Sequence, residues 1–347
     1  MTPPANRASL RLDWTRHVLG NAHLTLVAAS TDASSRSYWR TQDGANSWIV
    51  MDSPPTLEDP RLWLAINGRL AAAGLHVPSV RAHDLQQGFL VIEDLGSQMY
   101  LDVLNEANVD GLYDPALDAL LRMQTSVEVH DLPAYDRTFL SHELELMPEW
   151  FLRRHLGCTL ACEEWDAMKG AFSTLVHVAL EQPRCFVHRD YHSRNLLVVD
   201  PHDAAAEHMP WLNPGIIDFQ GAMHGPITYD LVSLLRDCYI AWDGGRVEAW
   251  AGDYRQQLLG TNFRAAIPDR ASFLRWFDLM GLQRHLKVLG IFSRLHYRDG
   301  KSGYLADLPR VFRYVDEIAG RYPEFKTFTN LLRRHVGGRD LSVVANR

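Results

Sequence analysis

The fold of this 347-residue chain is decided by one segment, Val187-His188-Arg189-Asp190-Tyr191-His192-Ser193-Arg194-Asn195-Leu196-Leu197. A second segment follows further along the chain, Gly215-Ile216-Ile217-Asp218-Phe219-Gln220. In both, a short apolar run adjoins polar residues, which is typical of strands that end in loops. We therefore expect Asp190, Asn195 and Asp218 at strand ends that face one cleft.

These three side chains are the ones that phosphoryl transfer from ATP to a hydroxyl requires. One carboxylate must lie beside the attacking oxygen, and further oxygen ligands must hold Mg²⁺ against the phosphates. Their order also matches the protein-kinase signature of His-Arg-Asp, an Asn five residues after that Asp, and a later Asp-Phe-Gly, which is Asp-Phe-Gln here. Taken singly, an Asp or Asn between strands is usually turn chemistry. Their combination predicts a kinase-like site.

Composition and charge argue against several other classes of protein. Hydrophobic residues make up 46% and charged residues 22% of the chain, which is ordinary for a globular protein. The formal net charge of -7 gives no general attraction to nucleic acid or to an anionic membrane. No apolar run approaches the roughly 18 residues of a membrane span, and the first residues lack the apolar core of a secretory signal. We expect a cytoplasmic protein that binds small molecules, without an obligate protein partner.

The apolar pattern predicts an α+β chain with a small β-rich part followed by a larger helical part, which agrees with the bilobal protein-kinase-like layout that the motif implies. Residues 1–96 form the predicted small, β-rich N-lobe that binds nucleotide. Residues 97–347 form the predicted larger, helical C-lobe with the catalytic loop, the Mg²⁺ site and the acceptor-binding helices. Strands are predicted at 23–28, 36–41, 47–51 and 89–95, and helices at 8–19, 59–74, 141–157, 163–180 and 271–295. Residues 200–214 are predicted to be a polar surface insertion.

From His188 to Asp237 the sequence resembles the aminoglycoside phosphotransferase and choline kinase-like branch of the protein-kinase fold. Within that branch it is similar to bacterial cell-wall sugar kinases, which phosphorylate the anomeric hydroxyl of N-acetylmuramate and N-acetylglucosamine during peptidoglycan recycling. The narrower likeness rests on three further segments: Val50–Pro55, Val91–Gly96 and Gln283–Gly290. The resemblance covers nearly the whole chain.

The resemblance implies roles for the residues of the motif and of the predicted hinge. Asp190 would be the catalytic base that receives the proton of the acceptor hydroxyl. Asn195 and Asp218 would bind Mg²⁺. The adenine of ATP would be held by backbone groups around three residues: Glu93, Asp94 and Leu95.

Four more residues are assigned to the catalytic loop or its support. His192 and Arg194 lie within the loop, where they would contact acceptor or phosphate. His188 would pack the loop in place. Asp230 resembles the family aspartate that caps the backbone of the loop from a neighbouring helix, and an ordinary aspartate at a helix N-terminus is the equal alternative.

One position departs from the pattern, because the third strand of this fold normally carries a lysine that contacts the ATP phosphates. The segment Ser47–Met51 has no lysine. Arg36 and Arg40 lie on the preceding predicted strand at an even spacing, so they share one face, and a guanidinium there can pair with phosphate oxygens. Solvent-facing arginines at a lobe edge are the alternative. The turn at 30–35 also lacks the glycines of the usual phosphate-covering loop.

The charge of residues 261–320 bears on the acceptor. This region contains ten Lys or Arg against six Asp or Glu, in a chain whose net charge is negative. The excess favours an acceptor with a carboxylate, such as the lactyl group of N-acetylmuramate, over a polycationic drug. Arg284 and Lys287, three apart on a predicted helix, are the candidates to engage that group, and solvated surface charge is the alternative.

These observations lead to one predicted function and two alternatives. The prediction is ATP-dependent transfer of a phosphoryl group to the anomeric hydroxyl of N-acetylmuramate and N-acetylglucosamine. The first alternative is a small-molecule kinase for another acceptor, such as an aminoglycoside, an amino alcohol or a different sugar. The second is a pseudokinase that binds nucleotide or a protein without turnover, which the missing strand lysine leaves open.

Overall fold

The computed structural model describes residues 4–30, 36–199 and 213–344. Most of the predicted turn at 30–35 and of the predicted insertion at 200–214 lies outside the described residues. The chain divides into two compact units. The first combines residues 1–119 with 194–220, and the second combines residues 120–193 with 221–347. The lobe boundary predicted after residue 96 stays a prediction.

The first unit is built on a five-stranded antiparallel sheet with the strand order β1-β2-β3-β5-β4. Its elements are, in chain order, α1 (Pro4–Leu19), β1 (Val27–Ser30), β2 (Ser37–Asp43), β3 (Asn46–Asp52), α2 (Pro60–Ala72), β4 (Val80–Asp84), β5 (Phe89–Glu93) and α3 (Tyr100–Val103). Helix α4 (Val109–Ser126) begins in this unit and ends in the second. Two short strands, β6 (Leu196–Leu197) and β7 (Gly215–Ile216), pair as a separate antiparallel ladder.

The central strands and the helix of this unit follow from their sequences. The fully buried residues of β3 and β5 are β-branched or large apolar side chains, which favour a strand: Val50, Met51, Phe89, Leu90 and Val91. Asp59 caps α2, because its side chain accepts a hydrogen bond from the backbone N–H of Arg61, and Pro60 is preorganised for the first turn. The predicted strands and α2 are confirmed, with ends that differ by a few residues. Strand β4 was not predicted because its side chains are mostly half-exposed and polar.

The second unit is mainly helical. Its helices are the end of α4, α5 (Arg137–Leu146), a π-helical continuation (Met147–His155), α6 (Cys162–Glu181), α7 (Tyr229–Leu235), α8 (Gly244–Leu258), α9 (Arg270–Tyr297), α10 (Leu308–Arg321) and α11 (Lys326–Val336). Short 3₁₀ turns lie at Arg264–Ala266, Ser302–Asp307 and Pro323–Phe325. One two-stranded antiparallel ladder joins Arg184–Val187, which we call β-in, to Met223–Pro226, which we call β-out.

Helix α9 lies at the centre of this unit. Every residue from Phe277 to Gly290 is buried, including the polar and charged ones. A helix buried on all sides must pair its charges internally, since an unpaired buried charge is costly. The predicted helices at 163–180 and 271–295 are confirmed as α6 and α9. The helix predicted from Ser141 begins earlier, at Arg137, because Asp136 caps it by accepting a bond from the N–H of Phe139.

Together, the sheet-based first unit and the helical second unit match the predicted α+β class. Among the described residues, we find no helix with both the length and the apolar character needed to span a membrane.

Candidate active site

The catalytic loop begins where β-in ends, at Val187, and its entry is held by a buried aspartate. Asp230, in the first turn of α7, accepts hydrogen bonds from the backbone N–H of His188 at 2.6 Å and of Arg189 at 3.0 Å. Burial raises the pKa of Asp230 to about 7, although these two hydrogen bonds favour its ionised form. The contact is the one expected of a residue that caps the loop.

The exit of the same loop is held by a second aspartate that the sequence analysis did not single out. Asp237 accepts hydrogen bonds from the backbone N–H of Ser193 at 2.9 Å and from its hydroxyl at 2.5 Å. It also accepts from the N–H of Tyr239 at 2.9 Å, and it is fully buried. Asp237 lies seven residues after Asp230. That spacing, two helical turns, was the signal available in the sequence.

Within the loop, His188 is fully buried, and its Nδ1 accepts a bond from the backbone N–H of Asp190 at 3.3 Å. Its ring also contacts Tyr191 edge-on, with centroids 5.7 Å apart. These contacts fit the supporting role predicted for His188. His192 is 8% exposed and contacts the ring of Tyr239, again edge-on. Arg194 is half-exposed, and at this residue the chain returns from the second unit to the first.

A buried carboxylate, Glu143, connects the loop with α9. It accepts from Arg189 Nη2 at 2.9 Å, lies 2.9 Å from Lys287 Nζ, and also accepts from the Tyr135 hydroxyl and from Gln283 Nε2. Burial alone would raise the pKa of Glu143, but the charges of Lys287 and Arg189 outweigh it and the pKa is lowered. Glu143 was read from the sequence only as part of a helix start. Its partners are distant in sequence, so no local pattern indicated them.

The surroundings keep the carboxylate of Asp190 ionised. Desolvation alone would raise its pKa, but the positive groups Lys287, His192, Arg189 and Arg284 outweigh that effect and lower it. Arg189 has a left-handed backbone, with φ of 79°, which is rare for a residue with a side chain. Such strain is held where the surrounding structure fixes it, as the bonds to Asp230 and Glu143 do here.

Arg284 and Lys287, predicted to engage an anionic acceptor group, are both buried, at 3% and 6% exposure. The alternative of solvated surface charge is therefore wrong. Lys287 forms the ion pair with Glu143 and donates to the Tyr229 hydroxyl at 2.9 Å. The guanidinium of Arg284 lies 3.2 Å from Cys238 Sγ. Burial alone would lower the pKa of Arg284, but the nearby groups Cys238, Tyr229, Asp237 and Asp190 outweigh it and the pKa is raised.

In the first unit, the predicted Mg²⁺ ligands lie together at the end of the β6–β7 ladder. Asn195 Nδ2 lies 3.4 Å from Asp218 Oδ2, and Gln220 Nε2 donates to Asp218 Oδ1 at 2.7 Å. Phe219, the next residue, is fully buried against Trp63, with ring centroids 5.2 Å apart. Asp218 has a left-handed backbone, with φ of 65°. The ladder and the buried ring thus fix the direction in which its carboxylate points.

This pair of side chains fits a Mg²⁺ ion. An amide oxygen and a carboxylate are hard ligands of the kind Mg²⁺ prefers, and in phosphate-binding sites it commonly takes only one or two protein ligands. Among the described residues, no group of three or more His, Cys, Asp and Glu could hold a metal ion. The remaining ligands would therefore be phosphate oxygens and water.

The same unit contains a cleft of about 940 Å³, measured to its open mouth, that reaches these ligands. Its lining includes the predicted hinge residues Glu93, Asp94 and Leu95 as well as Asn195 and Asp218. Apolar walls are contributed by Ile49, Ile92, Met99 and Leu197. A concave, mostly apolar cleft with a few convergent polar groups is typical of a small-molecule site.

The hinge residues are constrained by their own contacts. The N–H of Glu93 donates to the carbonyl of Ser79 at 2.8 Å, so it is not available to a nucleotide. The side chain of Glu93 accepts from the N–H of Ser79 at 3.0 Å and lies 3.4 Å from His76 Nε2, and the hydrogen bond to His76 is the main reason its pKa falls to about 2. The adenine contacts predicted for the other hinge groups, around Asp94 and Leu95, stay predictions.

Comparison with known proteins identifies the family. The sequence model of the phosphotransferase enzyme family, APH, matches residues 25–273 of this chain. The chain belongs to the phosphotransferase enzyme family. An N-acetylmuramate/N-acetylglucosamine kinase of Pseudomonas aeruginosa is 47% identical to this phosphotransferase over 307 residues, which are 88% of this chain and 87% of the relative. A kinase of the same name from Neisseria meningitidis is 34% identical over 335 residues, which are 95% of this chain and 96% of the relative. The resemblance read from the sequence is confirmed.

Solved structures show the fold of this phosphotransferase. An ADP-bound aminoglycoside phosphotransferase, APH(2'')-Ib, superposes with a TM-score of 0.58 at 13% identity, covering 89% of this chain and 98% of that one. An ethanolamine kinase of Plasmodium vivax superposes with a TM-score of 0.59 at 10% identity, covering 92% and 89%. The predicted protein-kinase-like fold is therefore confirmed.

Proposed function

We propose that the protein is an ATP-dependent sugar kinase that transfers the γ-phosphoryl group to the anomeric hydroxyl of N-acetylmuramate and N-acetylglucosamine. The observation that carries this proposal is 47% identity, over 88% of the chain, to a kinase named for these two sugars. We extend the proposal to the cytoplasm, where ATP is available, and to peptidoglycan recycling. ATP and the sugar are the proposed partners.

In this proposal Asp190 is the catalytic base. It orients the attacking hydroxyl and accepts its proton late, because a loose transition state demands positioning more than a strong base. Its lowered pKa supports this role, since the group is ionised at neutral pH. The bonds of Asp230 and Asp237 to the two ends of the loop support it too, because they fix the backbone on either side of Asp190.

Asn195 and Asp218 are the proposed metal ligands. When bound, Mg²⁺ neutralises the charge that develops on the β- and γ-phosphates during transfer. The contribution of the chain is to hold two oxygen ligands side by side, with the direction of Asp218 fixed by the buried ring of Phe219. Adenine is proposed to lie in the cleft beside Asp94 and Leu95, between apolar walls.

For the acceptor, we propose that Arg284 rather than Lys287 attracts the carboxylate of N-acetylmuramate. Glu143 already compensates the charge of Lys287 at 2.9 Å. Arg284 contacts Cys238 Sγ instead, and although the charges of Asp237 and Asp190 act on it, no carboxylate of the described residues forms a direct ion pair with it. His192 and Arg194 stay candidates for contacts with acceptor or phosphate, since both belong to the loop that carries Asp190.

The test is ADP release with Mg-ATP against N-acetylmuramate, N-acetylglucosamine, glucose, choline and kanamycin, with the product position read by phosphorus NMR. We expect turnover of the two N-acetyl sugars and an anomeric phosphate, and a kcat that is about 10²–10⁴ times lower for Asp190→Asn. Turnover of choline or kanamycin alone would contradict the proposed acceptor. Binding of Mg-ATP without turnover of any acceptor would favour the pseudokinase alternative.

A further inference from the structure

The lysine that this fold normally uses to contact the ATP phosphates is absent, because β3 contains none. Two arginines of the first unit, Arg36 and Arg40, were predicted as replacements on equal terms. The structure distinguishes them by their partners. A cation that already forms a close ion pair is less available to bind a phosphate.

Arg40 is tightly engaged within the protein. Its Nε and Nη2 donate to the two carboxylate oxygens of Asp94 at 2.6 and 2.9 Å, and Nη2 also donates to the carbonyl of Gly96 at 3.1 Å. Ser47 donates to the same carboxylate at 2.5 Å. This two-pronged pair satisfies the fork geometry of the guanidinium. Arg40 therefore stabilises the backbone that follows β5, from Asp94 to Gly96.

Arg36, directly before β2, lies in a different place, beside Asp218. Its side chain is 4% exposed; its Nη2 lies 3.7 Å from Asp218 Oδ1 and its Nε lies 3.3 Å from Glu58 Oε1. Charge-assisted hydrogen bonds between such groups are ordinarily about 2.7–2.9 Å long. Both separations are longer than that, and the guanidinium lies within reach of both carboxylates, of which Asp218 is a proposed Mg²⁺ ligand.

The backbone of Glu58 is held by two hydrogen bonds, so its carboxylate can orient the guanidinium of Arg36. Its N–H donates to the carbonyl of Pro54 at 3.0 Å, and its carbonyl accepts from the Ser53 hydroxyl at 3.0 Å. The next residue, Asp59, caps α2. A cation paired with a carboxylate beside this helix has the same chemical arrangement as the strand lysine and helix glutamate of protein kinases, although it is built here from other positions.

We infer that Arg36 is the phosphate-binding cation of this protein and that Glu58 positions it. This inference rests on the proposed function, because it takes Asp218 as a Mg²⁺ ligand. A Mg²⁺ ion held by Asp218 would bring the phosphates of ATP to this carboxylate, and Arg36 Nη2 lies 3.7 Å from Asp218 Oδ1. The planar fork of Arg36 suits two phosphate oxygens at once.

The test compares the binding of Mg-ATP with that of adenosine, which lacks phosphates, by calorimetry. We expect Arg36→Met to weaken Mg-ATP binding by about 10- to 100-fold, as loss of charge-assisted bonds would, and to leave adenosine binding unchanged. Arg36→Lys should recover part of the loss. Glu58→Gln should weaken Mg-ATP binding by a smaller factor, and it should raise the KM for ATP more than it lowers kcat.

The matched control is Arg81→Met, at an exposed position of β4, which should bind both ligands as the unsubstituted protein does. Thermal unfolding without nucleotide identifies any variant that fails to fold, in which case Arg36→Lys carries the test. An unchanged ratio of Mg-ATP to adenosine affinity in the folded Arg36 variants would overturn the inference. If the unsubstituted protein binds Mg-ATP but phosphorylates no acceptor, the proposed function fails, while the affinity ratio still decides the role of Arg36.

Discussion

Replacing Lys287 by Met tests whether the buried charges around the catalytic loop form one network. Lys287 Nζ lies 2.9 Å from Glu143 Oε1, and their side chains are 8% and 6% exposed. Removing one partner of a buried ion pair costs about 3–5 kcal/mol, because the other charge stays buried. Glu143 retains its bonds from Arg189 and Tyr135. We therefore expect the lower end, about 3 kcal/mol of unfolding free energy.

The measurement is a double-mutant cycle by urea unfolding, with Lys287→Met, Glu143→Gln and the combined variant. The combined variant should lose about 1–3 kcal/mol less than the sum of the single losses, because neither charge is left alone in it. A loss of about 3 kcal/mol corresponds to a fall in Tm of about 6–12 °C for a unit of this size. The control is Lys169→Met at an exposed position of α6, which should change stability by less than about 0.5 kcal/mol.

The pH dependence of the cycle provides the second criterion. The pKa of Glu143 is lower in the folded protein than its ordinary value of about 4.3. A carboxyl group of this kind stabilises the fold fully above its unfolded pKa, and the contribution is lost as the pH falls through the folded pKa. The coupling between the two substitutions should therefore shrink as the pH drops below about 4. Strictly additive losses at pH 7 would refute the network.

Four further outcomes are expected. Asp190→Asn should reduce kcat by a factor of about 10²–10⁴ while calorimetry shows nearly unchanged Mg-ATP affinity; equal loss of both would contradict its role as base. Asp237→Asn should lower kcat more than it raises the KM for ATP, because the hydrogen bonds to Ser193 are weakened. The same change should lower the free energy of unfolding by about 1–3 kcal/mol. An unchanged kcat would show that the loop does not need these bonds. The free energy of unfolding should fall as the pH drops from about 6.5 towards 3, because burial lowers the pKa of His285 to about 3. In that range the unfolded chain takes up a proton that the folded ring does not. Urea titrations of His285→Gln should show a pH slope that is smaller by about 1.4 kcal/mol per pH unit. Chelating Mg²⁺ should abolish ADP release reversibly, and Asp218→Asn should raise the Mg²⁺ concentration needed for half-maximal rate.

Local sequence patterns were sufficient for most elements of the fold. The strands β2 and β3 and the helices α2, α6 and α9 carry apolar periodicity, caps or breakers that act within a few residues, so they were readable. Strand β4 was missed because an edge strand with polar, half-exposed side chains lacks that periodicity. The early start of α5 was missed because the cap, Asp136, lies ahead of the apolar run.

The candidate site was predictable to the extent that its chemistry lies in one short motif. Asp190, Asn195 and Asp218 could be predicted as site residues because their types and spacing are those that phosphoryl transfer requires. Glu143 was missed, since its bond to Arg189 joins residues 46 apart in sequence and only the folded chain brings them together. The burial of Lys287 could not be predicted either, because the sequence of this enclosed helix, with its charged residues, resembles that of an amphipathic helix.

Helix α7 ties both ends of the catalytic loop through Asp230 and the nearby Asp237, and this has a consequence for its motions. The amides of His188, Arg189 and Ser193 should exchange their hydrogens with solvent only when α7 itself opens, since each is bonded to a carboxylate that the helix or its end carries. We therefore expect the loop to open about as rarely as the buried helix does, and less often than an ordinary surface loop. Substitutions in the last turn of α7 would then change how long the reactive geometry persists, without any contact with the reacting atoms.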